Sequence, residues 1–152
     1  INNIEAYYAR ETDEISFKTD TKKLNSFPFK IQGISDNELL KATDGNDSTS
    51  CFIKSNTVII DFGEERVISS FHYLPDQSEY NKGLIALYAL MTSNDGQNID
   101  KTIAKGEFSN IKHNPILQSV YFTPVNTRYL FLKAVKMINE GGPIGFSEIG
   151  IQ

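Results

Sequence analysis

The stretch Lys41-Ala42-Thr43-Asp44-Gly45-Asn46-Asp47-Ser48-Thr49 concentrates carboxylate, amide, hydroxyl and backbone oxygens around one glycine. Hard cations select such an environment. Calcium takes six to eight oxygen ligands and accepts backbone carbonyls beside carboxylates, so Asp44, Asn46 and Thr49 could wrap one ion. The spacing is not that of an EF-hand loop, which needs a longer array of acids and a terminal bidentate Glu. The same residues also read as two ordinary turns, Asp44-Gly45 and Asn46-Asp47-Ser48. Near the other end, Gly145-Phe146-Ser147-Glu148-Ile149 places an acid inside an apolar run. An inward carboxylate needs a charge partner, and a metal bridging Glu148 to the first loop would supply one.

The elements that must position these groups read as strands. From Phe27 onward, short β-branched and aromatic runs alternate with Gly, Pro, Asn and Asp clusters. Thr57 to Phe62 is expected to be a strand ended by Gly63. Val67 to Leu74 is a second, with Val67, Phe71 and Tyr73 on one face and Ser70 and His72 on the other, stopped by Pro75. Ile85 to Thr92 is apolar on both faces, as in a central strand. Asp95-Gly96 then marks a tight turn. Strands at Ser119–Phe122, Arg128–Val135 and Phe146–Gln152 follow, and only Asp36 to Lys41 looks helical.

The 152 residues suit one domain with a full core. Residues 1–25 are polar and read as a linker or lead-in, with Ile15-Ser16-Phe17-Lys18 as a short strand, and residues 26–152 as the β-sandwich. Fifteen basic against nineteen acidic residues give a net charge of −4 without a Lys/Arg stripe, which argues against a nucleic-acid partner. No apolar run approaches the roughly 18 residues of a spanning helix, so no membrane insertion is expected. The single cysteine, Cys51, excludes an intrachain disulfide framework and reads as a small buried hydrophobe. His72 and His113 lack the companions of a metal site. No Gly-x-Ser-x-Gly elbow and no phosphate-cradling loop is present, so the chain is expected not to be an enzyme.

Five landmarks, in order, carry a family resemblance: Ala42-Thr43-Asp44-Gly45-Asn46 with Thr49; Val58 to Gly63; Tyr73-Leu74-Pro75; Leu87 to Gly96; and Gly145 to Ile149. Over Phe29 to Gln152 the chain resembles the discoidin, or coagulation-factor V/VIII C-type (F5/8 type C), domain in the branch called carbohydrate-binding module family 32. That resemblance implies an all-β, jelly-roll antiparallel β-sandwich of the galactose-binding-domain-like kind. It also implies a structural Ca2+ held by Asp44, Asn46, Thr49 and Glu148 with the Lys41 carbonyl. Glycan would lie on loops at one end of the sandwich, matched here by Ser50–Asn56, Pro75–Gly83 and Asn139–Ile144. The candidates are Phe52, Lys54, Asp76, Tyr80, Asn81 and Asn139. The chain departs from the pattern in having no Trp, in reading Asn98-Ile99 after Asp95-Gly96, and in placing Asp76 where relatives often carry Arg, an acceptor in place of a donor.

The expected function is therefore a non-catalytic carbohydrate-binding module, a C-terminal accessory domain of a bacterial glycan-handling protein such as a glycoside hydrolase. The partner is a glycan, with other domains covalently linked, and the location extracellular, cell-surface or periplasmic. The alternative is a protein-protein or cell-surface adhesion module of the same fold without a sugar site. The loop acids Asp76, Glu79 and Glu140 argue against a phospholipid partner, for which exposed apolar spikes among basic residues would be expected.

Overall fold

A computed structural model describes residues 24–46, 48–78, 82–108, 111 and 116–152. Its elements are β1 (Lys30–Ile31), α1 (Asp36–Leu40), β2 (Cys51–Ile53), β3 (Thr57–Pro75), β4 (Ile85–Ser93), β5 (Lys101–Glu107), β6 (Gln118–Met137) and β7 (Ile144–Ile151). All pairings are antiparallel, in the order β2-β7-β3-β6-β4-β5, with β1 on β3. The chain is an all-β antiparallel sheet curled on itself into the sandwich of the discoidin type.

Curling is the work of β3 and β6, each long enough to serve both layers. Their pairing slips between Asp61 and Arg66 and again between Ile68 and Ser70, and such bulges bend a strand and sharpen its twist. Gly63 sits in the first slip with φ +80°, its N–H donating to Asp61 Oδ1 at 2.8 Å. It therefore bends a continuous strand, where the sequence reading ends one there. The second slip turns Val67 outward, 61% exposed, and Ile68 inward, so Val67 does not share the face of Phe71 and Tyr73.

The core lies between the faces, with Val58, Ile60, Ile68, Phe71, Tyr73, Leu90, Leu130, Leu132, Phe146 and Ile149 buried. Every residue of β7 is buried, which fits a strand covered on both sides. Three strands escaped the sequence reading. β1 and β2 are only 2 and 3 residues long. β5 is an edge strand whose Lys101, Thr102, Lys105 and Glu107 are exposed, the charged edge that discourages further pairing. The expected helix is present, with Ser35 Oγ accepting from the Glu38 N–H. The lead-in strand at Ile15–Lys18 lies outside the described residues.

At the β4–β5 corner, Asp95 accepts from the N–H groups of Gln97 and Asn98, both at 2.8 Å. Gly96 has φ +79°, and a Cβ there would meet the Tyr129 ring at 2.9 Å. Both facts require glycine. Gly96→Ala is expected to cost about 1–3 kcal/mol in urea unfolding; an unchanged midpoint would show that the corner relaxes freely.

Candidate functional site

The oxygen-rich loop follows α1 directly. The Lys41, Ala42 and Thr43 N–H groups donate to the Glu38, Leu39 and Leu40 carbonyls, closing the helix and delivering the chain into the loop. Thr49 Oγ1 is its focus, 2.8 Å from Asp44 Oδ2, 3.0 Å from the Asn46 carbonyl and 3.4 Å from the Lys41 carbonyl. Glu148, on β7 and 2% exposed, closes the far side by accepting from the Gly45 N–H at 3.2 Å. The Ile149 N–H also donates to the Ala42 carbonyl.

Glu148, accepting from the Gly45 N–H, lies beside Asp44. Burial opposes ionisation of Asp44, but the Asn46 N–H, the Thr49 hydroxyl and Glu148 outweigh it and hold its carboxyl below the usual range. Two carboxylates this close repel when both are charged, unless a cation lies between them. All five residues expected at the metal are thus brought together, and their donors are oxygens. Asn46 faces the ring through its carbonyl, because its side-chain Oδ1 accepts from the N–H and hydroxyl of Ser48 at 2.9 and 2.6 Å. This chemistry fits a hard cation. Among the described residues no group of three or more His, Cys, Asp and Glu could hold a metal ion, so a cation here would need carbonyl and hydroxyl ligands as well.

The loop runs straight into the second candidate site. Ser50 Oγ donates to Asp76 Oδ1 at 2.6 Å, and Cys51 and Phe52 then enter β2 opposite Phe146 and Gly145. Part of the expected Ser50–Asn56 loop is therefore strand. The Phe52 ring lies against Gly145, where a Cβ would come within 2.5 Å of the ring and of the Lys82 carbonyl. A Cβ on Gly83 would come within 2.1 Å of the Gly145 nitrogen. The missing side chains let the 76–84 loop and the aromatic ring both approach β7.

Phe52 keeps 38% of its surface exposed and lines an open groove of about 810 Å³ with Lys82, Gly83, Asn139, Gly142 and Pro143. A second hollow, of about 610 Å³, adjoins it across Gly142 and Pro143 and includes Lys54, Lys136 and Glu140. Of the expected sugar-facing residues, Phe52 and Asn139 share the first groove and Lys54 the second. Tyr80 and Asn81 lie outside the described residues. Lys82, Gly142 and Pro143 fall within the expected loops Pro75–Gly83 and Asn139–Ile144 but were not singled out, since nothing in their sequence context distinguishes them from ordinary loop.

Asp76 differs from expectation. It is 2% exposed and accepts from the hydroxyls of Ser50 and Ser78 and from the Lys82 N–H at 2.8 Å. Burial opposes ionisation, and these bonds outweigh it, holding the carboxyl below its usual range. Its direct task is to shape the loop that borders Phe52. Cys51 is fully buried, and burial pushes its thiol up to about 11, as for a small core residue.

Residues 30–149 match the family model of the F5/8 type C domain. The chain belongs to the F5/8 type C domain family. Among solved structures it is similar to CpGH89CBM32-5 from Clostridium perfringens, in complex with GalNAc-beta-1,3-galactose, at 25% identity over 73% of this chain and 80% of that one, with a TM-score of 0.60. The family 32 carbohydrate-binding module of C. perfringens NanJ, solved with galactose, shares the fold at 21% identity over 82% and 91% of the two chains, TM-score 0.61. A glycoside hydrolase 29 family member from an unknown rumen bacterium is 31% identical over 71% of this F5/8 type C chain but only 20% of its own length, TM-score 0.60. No curated protein sequence matches significantly.

Proposed function

We propose that this domain is a non-catalytic carbohydrate-binding module whose glycan lies in the Phe52 groove and whose Lys41–Thr49 loop holds a structural calcium ion. The observation that carries the reading is the Phe52 ring, backed by Gly145 and open to the groove on its other side. A sugar presents an apolar ring face and a rim of hydroxyls, so a fixed aromatic surface beside the Asn139 amide and backbone groups suits it. The likeness to carbohydrate-binding modules solved with galactose-containing ligands supports the same class.

Calcium would supply positive charge between Asp44 and Glu148 and so pin the α1–β2 loop to β7. The neighbours named above for glycoside hydrolases are consistent with an accessory domain of a secreted or surface-exposed bacterial glycan-handling protein.

The test is a broad glycan array in calcium buffer with the wild type, Phe52→Ala and Asn139→Ala. Binding to a defined glycan set is expected, reduced about tenfold or more by Phe52→Ala, since one aromatic contact contributes about 1–3 kcal/mol. Silence across the array, with the wild type folded by circular dichroism, would reject the glycan reading in favour of an adhesion module that docks on protein.

A further inference from the structure

The groove and its neighbouring hollow carry a charge pattern that a neutral sugar does not require. Lys82 borders the Phe52 groove, while Lys54 and Lys136 lie in the hollow that shares Gly142 and Pro143 with it. Among the described residues none of these three lysines has a salt-bridge partner, as is also true of Lys101, Lys105 and Lys133. What sets the three apart is their place along one pair of adjoining hollows, in a chain whose net charge is −4.

Among the described residues no acid forms an ion pair with these lysines. Asp76, the residue a sequence reader would set against them, is turned inward and spends its oxygens on Ser50, Ser78 and the Lys82 N–H. That last bond fixes the backbone of Lys82 beside the groove while leaving its side chain exposed. Glu140 is the one acid lining either hollow among the described residues, and it lies in the hollow beyond Gly142 and Pro143 from Phe52. Phe52 in β2 and Lys54 in the bend just after it are both exposed. An aromatic surface is thus flanked by ammonium groups that form no ion pair among the described residues.

Resting on the glycan reading of this groove, we infer that its ligand is an anionic glycan, with a sugar ring on Phe52 and a carboxylate or sulfate held by Lys82 and Lys54. Uronate and sulfate present the same chemistry to an ammonium group, a compact set of anionic oxygens accepting charge-assisted hydrogen bonds.

Calorimetry on the full chain in calcium buffer tests this with three matched oligosaccharides: neutral, uronate-terminated and sulfated. At low ionic strength one or both acidic forms are expected to bind about tenfold tighter than the neutral one, and the advantage should shrink as salt screens the exposed charges. The Lys54→Gln, Lys82→Gln double variant is expected to bring the acidic forms to the level of the neutral form. Lys101→Gln, on the β5 edge, should leave the preference as it was. Whichever acidic form keeps the advantage identifies the anionic group. Equal affinity for all three sugars, or an acid preference that survives the double variant, would overturn the anionic assignment while leaving the glycan-binding reading intact. Absence of binding to all three, with the broad array also silent, would overturn both.

Discussion

Chelation of calcium is expected to lower the thermal midpoint of the domain by about 5–10 °C, with full recovery on adding calcium back. An ion present at 100 times its dissociation constant stabilises the state that binds it by about 2.7 kcal/mol, and in a chain of this size each kcal/mol shifts the midpoint by about 2–4 °C. The arrangement that motivates this is the meeting of Asp44 and Glu148 around the Thr49 hydroxyl and the Lys41 and Asn46 carbonyls. A single-residue control separates the site from general ionic effects. Glu148→Gln, of similar shape, should abolish the calcium-dependent part of the shift, and a chelator-independent midpoint in the wild type would remove the calcium proposal altogether.

Replacing Asp76 by Asn is expected to be the costliest loop substitution, about 2 kcal/mol in urea unfolding near neutral pH. The amide would turn an NH2 group toward donors that now give to a carboxylate, and a mismatched buried group costs about 1–3 kcal/mol. The effect also has a direction in pH. Because the folded protein holds this carboxyl below its usual range, the native state binds fewer protons here than the unfolded chain does. The resulting stability is present above the unfolded value near pH 4 and is lost as pH falls through the folded value. The gap between wild type and Asp76→Asn should therefore narrow below about pH 4. A gap that stayed constant with pH would show that Asp76 acts through shape alone. Asp61, held low chiefly by its hydrogen bond with Arg128, and Asp95, held low by the Asn98 and Gln97 amides, predict a general weakening of the fold over the same acidic range.

The two candidate sites were legible in the sequence to different degrees, for physical reasons. The cation loop is nearly contiguous from Lys41 to Thr49, so its composition is visible in one window, and only Glu148 had to be brought from afar. Its buried position could be anticipated because a charge inside the apolar run Phe146 to Ile149 demands a partner. The glycan groove is assembled from β2, the 76–84 loop and the 139–143 corner, and each contribution is unremarkable alone. The sign of the error at Asp76 is informative: an Asp in a polar loop reads as solvent-facing, and only the convergence of Ser50, Ser78 and the Lys82 N–H reverses that.

At the level of the fold, alternation correctly placed the strand interiors of β3, β4, β6 and β7. It failed where register slips. Gly63 in a strand reads as a terminator, and Val67 reads as core, because a bulge is invisible to a period-two count. β1 and β2 are too short to show a period, and β5 is too polar.

Near the carboxyl end, the Phe27 N–H donates to the Ile151 carbonyl at 2.8 Å and the Ile151 N–H donates to Ser26 Oγ at 2.9 Å. The described end segments consequently lie side by side. Within any longer protein such a unit hangs from its attachment point like a pendant, adding little to the contour between whatever flanks it. Tension along the backbone would fall first on this pair of bonds and then on β7, the strand that carries Glu148 to the cation loop and Gly145 to the aromatic groove.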